Sequence, residues 1–156
     1  MSVVTIEIFG DEHLKENLQR GARKAADMSS GLEKVAELMF EAIFQTFQSQ
    51  GRRGGGSWQL LSEKYVKQKL KRGQDPRILF ADHDLIKSVT EWGDENMELE
   101  IDEHTIRMES LLDYAAIQQY GGRGIPARPY IRFTSFDKNR WVKVLQDELM
   151  DALAGH

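Results

Sequence analysis

The sequence predicts an α+β domain in which a small, mostly antiparallel sheet packs against a long central helix and a C-terminal helix, with extended loops between. Three observations carry this. Apolar residues alternate with period two in "VVTIEIF" (Val3–Phe9) and on both sides of the turn in "MELEIDEHTIRM". They recur at i, i+3 and i+4 from Leu32 to Phe47 and again near the C-terminus. Runs of glycine, proline and charge separate these stretches. Strands read with period 2 and helices with period 3.6, so both patterns in one chain of 156 residues define a single mixed domain, 1–156.

In order, Val4, Ile6 and Ile8 give a half-buried strand that Gly10-Asp11 ends. A helix from about Asp11 sets Leu14, Leu18, Ala22 and Ala25 on one stripe and breaks near Met28. Ser30 and Glu33 have the S-x-x-E spacing of a capping box, which predicts the next helix start. There Leu32, Val35, Ala36, Met39, Ala42, Ile43 and Phe47 form an apolar stripe that Phe40 and Phe44 widen, marking the central helix. "SQGRRGGGS" (49–57) reads as a flexible loop, since glycine, serine and arginine offer little apolar surface to offset ordering entropy. Ser62 can cap a short basic helix with Tyr65, Val66 and Leu70 as its apolar side. Asp75-Pro76 ends it. "ILFADHDLIKSV" predicts a turn and a helix capped by Asp82, with Asp84 in its first turn. Met97, Leu99 and Ile101, then Ile106 and Met108, alternate about the Asp102–His104 turn as an antiparallel hairpin. "PYIRF" reads as one more strand, and "DKNRWVKVLQDELMDAL" as a closing helix with Trp141, Val142, Leu145, Leu149 and Leu153 inward.

Composition narrows the function. A net charge of −4 argues against a surface wholly committed to nucleic acid. The start lacks the basic region and apolar run of a signal peptide, and no stretch approaches the roughly 20 apolar residues of a membrane span, so a cytoplasm is the expected compartment. With no cysteine there is no thiolate nucleophile, disulfide or cysteine-ligated zinc. Gly51–Gly56 has the G-x4-G spacing of a phosphate loop, but Ser57 and Trp58 stand where lysine and serine or threonine belong, and a helix precedes it. Asp82-His83-Asp84 could hold a divalent cation and centre a nuclease; a helix cap explains it more simply. No catalytic, cofactor or metal residues are therefore assigned. Arg52, Arg53 and the basic helix to Arg72 form a strip that could neutralise phosphates, leaving a nucleic-acid-binding accessory role as the alternative reading.

The segments "WQLLS" (Trp58–Ser62) before a basic helix, "ILFADHDLIKSV" (Ile78–Val89), "YAAIQQYGG" (Tyr114–Gly122) and "PARPY" (Pro126–Tyr130) occur in an order that resembles the phage virion morphogenesis family of tail-completion proteins. The resemblance runs from about Phe44 to the C-terminal helix. His83 stands where that family usually has a turn glycine, and Gln118 where it often has histidine. The resemblance implies a structural virion protein of a tailed phage or prophage. It would form a ring, sixfold to match a tail tube, at the head-proximal end of the tail. Its partners would be other copies of itself, the tail tube protein, head–tail connector proteins and DNA passing through the ring. On this reading Arg52, Arg53, Trp58, Tyr114, Tyr120, Arg123, Arg128, Tyr130 and Arg132 are interface residues. Arg128, fixed between Pro126 and Pro129, would pair with a carboxylate either of a neighbouring subunit or of its own chain.

Overall fold

A computed structural model describes residues 12–155; the predicted strand Val3–Phe9 lies outside the described residues. The element order is α1 (Glu12–Ala26), α2 (Ser29–Gln48), α3 (Glu63–Lys71), α4 (Asp84–Thr90), β1 (Met97–Ile101), β2 (Ile106–Ser110), α5 (Ala115–Tyr120) and α6 (Ser135–Ala154). Among the described residues the domain is mostly helical, with one two-stranded antiparallel sheet.

The central helix forms where its stripe requires it. Leu32, Val35, Ala36, Phe40, Ala42, Ile43 and Phe47 are buried, because α2 is covered by α6 on one side and by α4 and the hairpin on another. Small residues let α6 come close: a Cβ on Gly21 would meet Leu153 Cδ2 at 2.3 Å, and one on Gly31 would meet Leu145 Cδ2 at 2.9 Å. Glu148 then ties the three helices together, with ion pairs to Lys24 of α1 and Lys34 of α2.

The predicted antiparallel hairpin forms, with Leu99 opposite Met108 and Ile101 opposite Ile106. Its inner residues are half-buried while Glu98 and Glu100 are exposed. Asp102 closes the turn by accepting from the His104 and Thr105 backbone N–H groups, both at 2.8 Å.

Four expectations are corrected. Ser30 forms no capping box: α2 starts at Ser29, and the Ser30 hydroxyl accepts from Lys24 and donates to Glu148, so tertiary partners outcompete the local cap. The capping box lies instead at α6, between Thr134 and Asp137. Asp82 does not cap α4, because His83 occupies the capping position in the left-handed region (φ 69°) with no side-chain cap bond. "PYIRF" joins no sheet. The Gln119 side chain stands in for a partner strand, its Oε1 accepting from the Tyr130 and Ile131 N–H groups (both 3.0 Å) and its Nε2 donating to Ile131 O (3.1 Å). Finally, Val142 of α6 is exposed, as is Leu70 of α3, whose place toward the body is taken by Lys69.

Candidate partner interface

The core holding this surface is aromatic. Phe47 meets Trp58 and Phe80 edge-to-face at centroid distances of 5.6 and 5.7 Å, and Tyr130 at 5.5 Å. Such pairs are worth roughly 0.5–1.5 kcal/mol each beyond the area they bury. Both polar tips are satisfied: Trp58 Nε1 donates to Pro129 O (3.1 Å) and the Tyr130 hydroxyl to Ala115 O (3.1 Å). Trp58 and Tyr130 are 5% and 2% exposed, so they shape the surface from beneath instead of presenting it. Burial pushes the Tyr130 hydroxyl up to about 12.

The glycine loop is tied most closely at its first half, and further on Gly55 N–H donates to Arg52 O (3.2 Å). Gly51 N–H donates to Thr46 O (2.9 Å), Arg52 N–H to Ser49 O (3.1 Å) and Arg53 N–H to the Ser49 hydroxyl (2.9 Å). Gly51 (φ 83°) must be glycine, since a Cβ there would lie 2.4 Å from Trp58 Cδ1. Arg53 makes a bidentate pair with Asp137 and donates Nε to Gln45 (2.9 Å). Arg132 is exposed and lies over Gly54 and Gly56. Arg52 is exposed, its Nε on Ser49 O.

The stretch after α5 is a rigid arm. Gly121, at φ 78°, is pressed so close to the returning chain that a Cβ would meet Ala127 N at 2.8 Å. Gly122 and Ile125 pair as an isolated bridge, with Arg123 left-handed (φ 52°) at the tip. Tyr120 (79%) and Ile125 (37%) are exposed beside it.

Beside this arm is an open cleft of about 810 Å³. Its rim carries Leu60, Tyr65, Tyr114 and Ile125, all exposed. Arg128 and Lys69 also line it, at 7% and 2% exposure. Arg128 donates through Nε (3.4 Å) and one terminal nitrogen (3.2 Å) to Gln59 O, and Lys69 Nζ donates to Arg77 O (2.6 Å). Among the described residues neither is in an ion pair. Burial lowers the pKa of both cations; for Lys69, Asp75 and Asp82 work in the opposite direction. Burial also pushes Tyr114 up to about 12.

The structure thus brings Tyr114 and Arg128 to one cleft, Tyr120 and Arg123 to the arm beside it, and Arg132 onto the glycine loop. Arg53 is spent within the chain. Sequence reasoning missed Lys69, although its i+3 and i+4 spacing from Val66 and Tyr65 places it on their face. It also missed Gln119, whose polar side chain carries no local signal of bracing a distant segment.

What this geometry builds is a contact-making domain: a packed helical body, an exposed rigid arm, and a cleft with apolar rim and cationic lining. The model of the phage virion morphogenesis family matches residues 10–150, and the chain belongs to that family. It is therefore a non-enzymatic structural component of a phage virion, with other virion proteins as its partners. No curated protein and no solved structure matches the chain. Among the described residues no group of side chains could hold a metal ion, and no helix is long and apolar enough to cross a membrane.

Proposed function

We propose that the chain closes into a ring at the head-proximal end of the tail, completing the tail and joining it to the head. The observation that carries this reading is the rigid arm. Gly121 through Ile125 is held by a backbone bridge and a tight glycine contact, yet it projects Arg123 into solvent next to exposed Tyr120 at the end of α5. A preordered arm bearing an aromatic and an arginine loses little entropy on docking, and those residue types are enriched among interface anchors. One surface of this kind, contacting a different surface on the next copy, is what a closed ring needs. Tail tube and connector proteins are then the partners on the two faces, and the ring encloses the DNA path; sixfold symmetry matches the tail tube.

The nucleic-acid-binding alternative is weakened by two placements. Arg53 is neutralised by Asp137 and Lys69 is buried, so the Arg52–Arg72 strip presents fewer cations than the sequence counts. Native mass spectrometry and electron microscopy of the purified chain, alone and with tail tubes, test the ring reading. Discrete rings are expected in at least one condition. Monomer in both would overturn it.

A further inference from the structure

The cleft and its surroundings are chemically incomplete within one copy. Two nearly buried cations, Arg128 and Lys69, line it without a carboxylate in ion-pair range among the described residues. Exposed Arg72 adds a third positive charge, against the single lining carboxylate of Asp82. Gln118, also in the lining, keeps a buried Oε1 with no hydrogen-bond partner among the described residues. A buried cation without a carboxylate and a buried acceptor without a donor are both costly to leave so.

The same chain carries the complement elsewhere. Between Lys87 and Arg107 there is no lysine or arginine, while seven carboxylates fall from Glu91 to Glu103. At the start of this run, the turn after α4 exposes Trp92 (52%), which rests one side against Phe40 at a centroid distance of 5.4 Å, with Glu91 and Glu95 exposed on either side. The cleft, lined by Asp82 and Leu85, lies at the N-terminal end of α4, and the acidic turn follows its C-terminal end. Seven residues at 1.5 Å each put the two about 10 Å apart along the helix. A copy therefore does not fill its own cleft with its own turn.

We propose that the Glu91–Glu95 turn of a second copy docks in this cleft, Trp92 against the apolar rim and the carboxylates toward Arg128 and Arg72, so that copies join head to tail. The inference rests on the ring reading above and names the contact that would close it. A large aromatic flanked by carboxylates suits an apolar rim over cations, the pattern in which a desolvated anchor is surrounded by pairing charge.

Sedimentation of the purified chain over a concentration series, with thermal unfolding of each variant as a folding control, tests the contact. Arg72→Glu and Glu95→Lys are at exposed positions and should fold normally; each should weaken association several-fold. Mixed in equal amounts they should restore it, because the reversed cleft of one accepts the reversed turn of the other and the intact pair closes the alternate interface. Arg128→Gln should weaken association at least about thirtyfold, equivalent to about 2 kcal/mol at 1.4 kcal/mol per decade. If that variant does not fold, the exposed pair decides alone. Association indifferent to both reversals, or weakened by each and not restored in the mixture, overturns the docking. A chain monomeric alone but forming rings on tail tubes overturns the docking and leaves the ring; a monomer under both conditions overturns both.

Discussion

Replacing Asp137 by alanine should cost the fold more than any other single surface-proximal change. This carboxylate is 5% exposed and serves two elements at once. Its Oδ2 accepts from the Thr134 N–H (2.7 Å) and hydroxyl (2.8 Å), closing the α6 capping box, and both oxygens receive the Arg53 guanidinium from the glycine loop. Loss of a cap costs roughly 1 kcal/mol. Orphaning one member of a buried pair costs about 3–5 kcal/mol. Arg53 is still 19% exposed, so water recovers part of that, and the effects overlap. A total of about 3 kcal/mol follows, or a fall in Tm of roughly 6–12 °C for a domain of this size. Arg53→Ala should cost less, about 1–2 kcal/mol, because Asp137 keeps its bonds to Thr134. Urea denaturation at low protein concentration, where association does not add to stability, measures both, and the double variant gives their coupling. A loss below 1 kcal/mol for Asp137→Ala, or no coupling with Arg53→Ala, would refute the view that this pair clamps loop to helix.

Acid should loosen the helix layer through Glu148. Hydrogen bonds from Lys24 and Lys34 hold its carboxyl down to about 2, below its ordinary 4.5, so its contribution is whole above about 4.5 and is lost as pH falls from there toward 2. Glu148→Gln should flatten the stability–pH curve in that window, and an unchanged slope would show that other carboxylates carry it. Gly51→Ala should destabilise by more than about 2 kcal/mol in the same denaturation assay, from the left-handed φ together with the clash on buried Trp58. In the glycine loop, hydrogen exchange should follow the bonding: the amides of Gly51, Arg53 and Gly55, all bonded, exchange slowly, while those of Gly54 and Gly56 exchange faster. Equal protection of bonded and unbonded amides would contradict this.

Periodicity made the larger elements legible. The α2 stripe and the hairpin alternation are burial patterns, and the structure then buries Ile43 and Phe47 and half-buries Leu99 and Ile101. Caps were less legible because they depend on competition. Ser62 caps α3, its hydroxyl accepting from Tyr65 N–H, since no tertiary partner draws it away. Ser30 has the better motif and fails, because Lys24 and Glu148 reach it. Apolar character misled in two ways. Val142 and Leu70 were placed inward by type, whereas Trp58 and Tyr130 were offered to a partner although the core takes both. The six-residue α5 is too short to show a period at all.

These misplacements share a cause that bears on function. A sequence pattern reports which faces avoid water, and it cannot say whether the cover comes from the same copy or the next. Where α2 has cover within its own chain, pattern and burial agree. Elsewhere, at Leu60, Tyr120, Ile125 and Trp92, exposed apolar groups lie beside cations or carboxylates in a chain that belongs to a family of virion-assembly proteins. In a lone monomer Leu60 and Tyr120, at 81% and 79% exposure, contribute little to stability. In an assembly each becomes a core position whose other half is on another molecule, and the charge beside it fixes which surface can supply that half. We read their exposure in one copy as the unfilled side of a contact, and under the docking proposed above the separation of the cationic cleft from the acidic turn across α4 gives that contact a direction.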